Sequence, residues 1–158
     1  STPRIMQVSK GSIRLNGRMK SSKLSMQATM SEYNPTSTVV PGAFTPGCSV
    51  TQLPGFVVQS DAITAKGADT IVCMAVNDAF VMGSWSKAQN AGEILMLADG
   101  NGEFTHAIGL EMDGTGFGMG MRCRRFGMIV EDGTVTYLGV EAPGEIKVSS
   151  AEAMLEQL

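Results

Sequence analysis

Histidine and cysteine are scarce in this chain of 158 residues, which has one histidine, His106, and three cysteines, Cys48, Cys73 and Cys123. The cysteines form no Cys-x-x-Cys pair, so they match neither a zinc site nor a dithiol redox motif. Their odd number also excludes the fully paired disulfide framework of a small secreted domain. We therefore expect no metal centre.

Long apolar runs are also missing, since no stretch reaches the roughly 20 residues that a transmembrane helix requires. The sequence therefore predicts neither a membrane span nor a membrane partner. The length fits one domain that buries a sizeable core without help from disulfides or metals.

Acidic residues are nearly absent from the first forty positions, which carry six lysines or arginines against one acid, Glu32. Residues 41–158 carry six basic side chains against fourteen acids, so the two parts have net charges of +5 and −8. The acidic body argues against a nucleic-acid partner. The basic, serine-rich residues 1–38 resemble a transit segment in composition, with a disordered arm as the alternative, and we expect no regular fold for residues 1 to about 34.

Strand-like and helix-like segments alternate after residue 35, which is typical of an α/β protein. The predicted strands are residues 37–40, 69–76, 94–98, 126–131 and 134–140. The predicted helices are residues 48–66, with a kink at Pro54, and residues 79–91, 104–110 and 149–158. Asp132 and Gly133 predict a tight turn between the last two strands. Ser149 or Ser150 caps the last helix, with Glu152 placed for a capping box.

One segment carries reactive chemistry: Pro41-Gly42-Ala43-Phe44-Thr45-Pro46-Gly47-Cys48. Gly42 and Pro46 predict a loop, and Cys48 opens the first predicted helix. The positive end of a helix dipole and the free N–H groups there favour the thiolate form of a cysteine. Thr45 lies within one turn, where its hydroxyl reaches a molecule that approaches the sulfur. A buried, unreactive cysteine is the alternative.

The same segment resembles the peroxidatic motif of the peroxiredoxins, Pro-x-x-x-Thr-x-x-Cys, here Pro41, Thr45 and Cys48. The resemblance extends to the atypical two-cysteine, type II (peroxiredoxin-5-like) subfamily in its plant-like or algal-like form, over residues 39–158. The further matching segments are Pro54-Gly55-Phe56, Val76 to Met82, Trp85, Leu97-Ala98-Asp99, Arg122 to Phe126 and Val148 to Glu152. The resemblance implies a thioredoxin fold of the peroxiredoxin type, with which the predicted order of elements agrees.

The region before the motif departs from this family. Its members normally carry an N-terminal hairpin and a long apolar strand there, whereas this chain offers only Thr38-Val39-Val40. We therefore expect an atypical N-terminal region that lacks the usual first hairpin and part of the central strand. The expected thioredoxin-fold domain is residues 39–158.

The resemblance implies a thiol-dependent peroxidase that reduces hydrogen peroxide and alkyl hydroperoxides through a cysteine sulfenic acid, without metal, haem, flavin or any other cofactor. Cys48 would be the nucleophile, Thr45 would orient the peroxide, and Pro41 would shield the sulfenic acid from water. The backbone N–H groups of Gly47 and Cys48 would donate to the peroxide. The alternative is a noncatalytic redox-sensing or binding module, derived from a truncated peroxiredoxin whose missing strands leave the site disordered.

A cation is expected beside the thiolate, and Arg122, Arg124 and Arg125 are the candidates. Alternate residues of a strand share a face, so Arg122 and Arg124 would point one way and Arg125 the other. Alignment with the family on Phe126 favours Arg122 as the site cation. The other two would lie on a solvated or interface face.

The sulfenic acid must then be resolved by a second thiol. Plant-like family members have a cysteine at the position of Cys73, which makes it the candidate resolving cysteine. If Cys73 is only buried filler, glutathione, glutaredoxin or thioredoxin would attack directly. Cys123 stands where the family usually has serine, and we interpret it as incidental. A monomer or homodimer is expected, either cytoplasmic or, if residues 1–38 act as a transit segment, in a plastid or mitochondrion.

Overall fold

A central β-sheet organises the part of the chain that the computed structural model describes, residues 3–9, 12–15, 18–19 and 34–158. The strands in these residues are β1 (Arg4–Ser9), β2 (Ser12–Leu15), β3 (Arg18–Met19), β4 (Pro35–Val39), β5 (Thr70–Ala75), β6 (Leu95–Ala98), β7 (Glu111–Asp113), β8 (Met121–Cys123), β9 (Phe126–Glu131) and β10 (Thr134–Val140). Eight of them form one sheet in the order β10-β9-β4-β5-β6-β1-β2-β3, and β7 pairs with β8 alone.

Four helices accompany the sheet in the described ranges: α1 (Leu53–Ala65), α2 (Ala79–Ala88), α3 (Glu103–Ala107) and α4 (Ala151–Gln157). Strands β4, β5 and β6 are parallel because α1 and α2 lie in the connections between them. Successive side chains of β5 point to opposite faces of the sheet and enter two apolar clusters. Cys73 lies in the cluster that contains Trp85, and Met74 lies in the cluster that contains Phe126. The predicted α/β order is confirmed. None of these helices is long and apolar enough to span a membrane.

The N-terminal residues differ from the prediction. Arg4–Ser9 form β1, which pairs in parallel with β6 and antiparallel with β2, so a first hairpin is present. Met6 and Val8 are buried, and Ile5 packs so closely on α2 that a Cβ at Gly83 would lie 2.7 Å from its Cδ1. The pairing with β6 joins segments about ninety residues apart, which a short local pattern does not reveal. The rest of the predicted segment up to residue 33, beyond β2 and β3, lies outside the described residues.

The central strand is also longer than predicted. β4 begins at Pro35 rather than Ser37, and all five of its residues are buried. It pairs with β5 on one side and with β9 on the other, so its backbone is satisfied on both edges. Three of the five residues carry hydroxyl groups, and the Thr36 and Ser37 hydroxyls have no hydrogen-bond partner. This polar composition hides the strand from a search for apolar runs.

Local turn and cap signals are largely confirmed. Asp132 and Gly133 both have positive φ, 49° and 77°, as a tight turn between β9 and β10 requires. Ser150 is the N-cap of α4 and accepts from the Ala153 N–H. The predicted capping box is absent, because the third residue of the helix is then Ala153 and not Glu152.

Candidate active site

Cys48 lies at the start of a helical segment that begins at Pro46 and continues as a π-helical turn, Cys48–Gln52, into α1. This is the predicted position. Only 1% of Cys48 is exposed, because it packs in the same apolar cluster as Cys73 and Trp85. π-helical turns within α-helices are frequent at functional sites.

The loop between β4 and Cys48 is fixed by specific hydrogen bonds. The Ala43 N–H donates to Asn77 Oδ1 at 2.9 Å, which ties the loop to the end of β5. The Thr45 hydroxyl donates to the Gly42 carbonyl at 2.7 Å, and the Thr45 carbonyl accepts from the Ser49 N–H. Because its proton is used in this way, the Thr45 oxygen keeps lone pairs that can accept a hydrogen bond from a bound molecule.

Arg125 is the cation that the structure brings to the sulfur. Its Nη1 donates to Cys48 Sγ at 3.6 Å and also to Gln52 Oε1. A guanidinium cannot lose its proton in a protein, so Arg125 places a fixed positive charge beside the sulfur. Gly47 allows the close approach, since a Cβ there would lie 3.3 Å from Arg125 Nη2.

The choice of Arg122 as the site cation is corrected by this geometry. Arg122 donates through Nε to the Met119 carbonyl at 2.8 Å and through Nη1 to the Val76 carbonyl at 3.1 Å. It therefore fastens the β7–β8 loop to the end of β5. The alternation argument failed because β8 ends at Cys123, so that Arg124 and Arg125 lie in a link between strands where the two-residue period does not hold.

The other two cysteines are fully buried, and no disulfide is formed among the three. Cys73 lies in the middle of β5, where burial and the nearby Cys48 raise the pKa of its thiol far above the usual range. Burial likewise raises the pKa of Cys123 to about 11, and Asp99 adds to this against the lowering effect of a hydrogen bond with Thr105. Neither thiol is ionised at neutral pH in this conformation.

A cleft of about 330 Å³ opens beside Arg125. Its walls combine apolar surface with charged groups of both signs. The apolar lining includes Pro41, Met112, Phe117 and Pro143, and the charged lining consists of Arg124, Arg125, Glu111, Asp113 and Glu141. Phe117 is 86% exposed, so its ring is free to contact a bound molecule. Pro41, the first residue of the reactive loop, also lines this cleft.

The sequence gives no functional signal for two residues that are hydrogen-bonded, directly or through Ser149, to the groups around the sulfur. Gln52 is buried, and its Nε2 donates to Thr38 Oγ1 at 2.6 Å and to Ser149 Oγ at 3.4 Å. Glu141, at the end of β10, accepts from the Ser149 hydroxyl at 2.9 Å. Gln52 could have been found by its spacing, because residues four apart in a helix share a face and Cys48 lies four positions earlier. Glu141 has no such local signal.

This chain is similar in sequence to known proteins over most of its length. The Redoxin family model matches residues 20–155. Peroxiredoxin-2B of Arabidopsis thaliana is 46% identical over 120 residues, which cover 75% of this chain and 74% of that protein. The chloroplastic Peroxiredoxin-2E of Arabidopsis thaliana is 47% identical over 122 residues, 75% of this chain and 52% of that protein.

A solved structure shares the fold. The crystal structure of reduced Prx3 from Vibrio vulnificus, in complex with H2O2, superposes with a TM-score of 0.81. It is 51% identical in sequence and covers 85% of this chain and 87% of its own. The likeness therefore extends over most of the chain.

Proposed function

We propose that Cys48 is the thiol with which this chain reduces peroxides. The chain belongs to the redoxin family and is a plant-like peroxiredoxin. The chain has the thioredoxin fold of the peroxiredoxins and is a thiol-dependent peroxidase. The contact between Arg125 and Cys48 Sγ is the single observation that carries the assignment of the cysteine. The alternative of a noncatalytic module is not favoured, since the strands it supposed missing are present.

In the proposed reaction, the Cys48 thiolate attacks one oxygen of the peroxide in line with the O–O bond. A sulfur–oxygen bond forms as the O–O bond breaks, and the leaving hydroxide or alkoxide takes a proton to become water or an alcohol. The sulfur is oxidised to a sulfenic acid while the peroxide is reduced by two electrons. Arg125 stabilises the thiolate before the attack and the charge that develops on oxygen during it.

Further groups have proposed roles in holding the peroxide and in protecting the sulfenic acid. Thr45 accepts a hydrogen bond from the attacked hydroperoxide, since its own proton is engaged with Gly42. The backbone N–H groups of Gly47 and Cys48, at the first turn of the helix, donate to the peroxide oxygens. Pro41 screens the sulfenic acid from the cleft.

The cleft provides a place for the alkyl part of an organic hydroperoxide. Replacing Phe117 with serine should lower kcat/KM for cumene hydroperoxide by about 5- to 10-fold, because the exposed ring no longer covers the substrate's apolar surface. The rate with H2O2, which has no apolar part, should stay within about two-fold. Val58→Ser, on an exposed valine of α1, is the matched control. Equal losses with both peroxides would show that Phe117 supports the site and does not select substrates.

Resolution by Cys73 is the proposed second step. The thiol of Cys73 would attack the Cys48 sulfenic acid, forming a disulfide and releasing water. Cys73 is buried and its thiol is protonated, so the π-helical turn at Cys48 must open before the two sulfurs meet. A thiol reductant such as thioredoxin regenerates the enzyme. Which reductant acts, glutaredoxin with glutathione or thioredoxin, depends on whether this disulfide forms.

The reductant that supports turnover therefore shows whether Cys73 resolves the Cys48 sulfenic acid. With Cys73→Ser, turnover supported by thioredoxin should fall by about ten-fold or more, because thioredoxin acts on a disulfide that no longer forms. Turnover supported by glutathione and glutaredoxin should persist, because glutathione attacks the sulfenic acid directly. Peroxide consumption is measured with both systems in parallel, with Cys123→Ser as control. Unchanged rates in both systems would contradict resolution by Cys73.

We also propose a cellular location and an oligomeric state for the protein. A plastid location is supported by the chloroplastic relative. The role of residues 1–38 as a transit segment stays a prediction, and their complete removal would take β1 away from β6. We propose a homodimer whose interface contains Phe44 and Phe80, because these apolar side chains are 54% and 90% exposed. Trp85 is fully buried in the core and is therefore not part of this surface.

A further inference from the structure

Arg124 is a second cation in the cleft, next to Arg125 in the link between β8 and β9. Its backbone N–H donates to the Leu110 carbonyl at 2.8 Å, and its Nη2 donates to the Glu141 carbonyl at 3.2 Å. These two bonds fix an otherwise exposed side chain at the wall of the cleft. No carboxylate in the described part of the chain forms an ion pair with Arg124. The other N–H groups of its guanidinium can therefore donate to a bound molecule.

The three carboxylates of the same cleft have partners of their own. Glu141 is 4% exposed and accepts from backbone and hydroxyl donors in residues 147–149. Glu111 Oε1 lies 2.6 Å from His106 Nδ1. Asp113 accepts from the backbone N–H two positions later and is exposed, so that water screens its charge. Arg124 is thus the charged group of the cleft that lacks both an ion-pair partner and a bond to the sulfur.

The apolar part of the cleft and this cation together define a class of substrate. An apolar wall with a few charged groups binds a molecule that has an apolar body and an anionic end. The planar fork of a guanidinium matches the two oxygens of a carboxylate. Arg125, which is bonded to Cys48 Sγ, lines the same cleft of about 330 Å³, so the anionic end and the reacting group must be close together.

We propose that Arg124 is a specificity-determining residue that binds the carboxylate of hydroperoxy acids, in which only a few carbons separate the carboxylate from the peroxide. The carboxylate takes no part in the chemistry. Cys48 is oxidised to the sulfenic acid while the hydroperoxy acid is reduced by two electrons to the hydroxy acid. This inference rests on the proposed function of Cys48 and adds a substrate class to it.

The 5-hydroperoxide of arachidonic acid and its methyl ester test the charge, because they differ only in the carboxylate. Below micelle-forming concentrations, the unmodified chain should react with the acid about three-fold or more faster than with the ester. Arg124→Gln should lower the rate with the acid by about three- to five-fold, because the amide can still donate to the Glu141 carbonyl but carries no charge. The rates with the ester and with H2O2 should stay within about 1.5-fold. Equal losses with acid and ester would overturn the proposal.

The 15-hydroperoxide of the same fatty acid tests the distance, since its carboxylate lies far from the peroxide group. Arg124→Gln should change its rate by less than about 1.5-fold, because the carboxylate does not reach the cleft while the peroxide is at Cys48. An equal loss with both positional isomers would mean that Arg124 attracts anions in general, and the proposed site would fall.

Asp113→Asn should have the opposite effect to Arg124→Gln. Asp113 is the exposed carboxylate of the cleft, and its removal should raise the rate with the 5-hydroperoxy acid by about two-fold and leave the ester unchanged. Asp61→Asn removes the same charge from an exposed position on α1, outside the cleft, and is the matched control. An equal rise in both variants would assign the effect to net charge and contradict the proposal.

A binding measurement without turnover separates this inference from the proposed function. The 5-hydroxy acid and its methyl ester are compared as protectors of Cys48 against iodoacetamide, in a Cys73→Ser/Cys123→Ser background that leaves one thiol. The acid should protect at about three-fold lower concentration than the ester, and Arg124→Gln should remove this difference. If Cys48→Ser abolished turnover while acid and ester protected equally, the proposed function would stand and the role of Arg124 would fall. If Cys48→Ser kept its turnover, a difference lost in Arg124→Gln would still show that Arg124 binds the carboxylate.

Discussion

Replacing Cys48 with serine should lower peroxide consumption by at least about three orders of magnitude, to the level of the uncatalysed reaction. A serine hydroxyl is not ionised near neutral pH, and Arg125 cannot supply the nucleophile that is lost. The change is nearly isosteric, so the buried position should tolerate it. Consumption of H2O2 is measured with an excess of thiol reductant.

Cys123→Ser is the matched control, because Cys123 is equally buried but lies in the other apolar cluster. Its rate with H2O2 should stay within about two-fold of that of the unmodified chain, provided that urea unfolding shows a folded protein. A Cys48→Ser chain that kept a tenth or more of the original rate would refute the assignment of the nucleophile.

Arg125→Met should lower the second-order rate with H2O2 by about 10²- to 10³-fold, because the thiolate and the developing oxygen charge lose their cation. Methionine fills much of the same volume without the charge. Stopped-flow measurement of the reaction with H2O2, under single-turnover conditions, isolates this step from reduction by the thiol donor.

Arg122→Met provides the comparison that decides between the two arginines. We expect a loss of less than about ten-fold, because Arg122 bonds two backbone carbonyls and does not reach the sulfur. Its main effect should be a lower free energy of unfolding, as the β7–β8 loop loses its attachment to β5. A larger loss of rate with Arg122→Met than with Arg125→Met would restore the prediction made from sequence.

The features that could be predicted depend on residues close together in the chain. The turn at Asp132 and Gly133, the strands on either side of it and the helix that begins near Cys48 all match the structure, because each follows from local backbone preferences. Thr45 and Cys48 are three positions apart, so one helical turn is enough to bring them together.

The features that could not be predicted depend on long-range pairing. β1 is stabilised by β6, and β4 is a strand because β5 and β9 pair with both of its edges, although three of its five side chains are polar. The alternation of side chains along a strand does not predict the position of Arg125, because Arg125 lies in the link between β8 and β9, where this alternation does not hold. In each case the deciding neighbour is distant in sequence, and its effect is absent from local propensity.

The sequence by itself determined the reactive loop, the α/β order and the family, because a thiol, a threonine and two prolines in close spacing restrict both the backbone and the chemistry. Only the tertiary structure decided which charges and amides surround that thiol. Arg125, Gln52 and Glu141 come from a strand link, a helix and a strand end, and only the closed sheet brings them into one series of hydrogen bonds that ends at Cys48. The electrostatic environment of the sulfur depends on distances in space, which spacing along the chain does not encode.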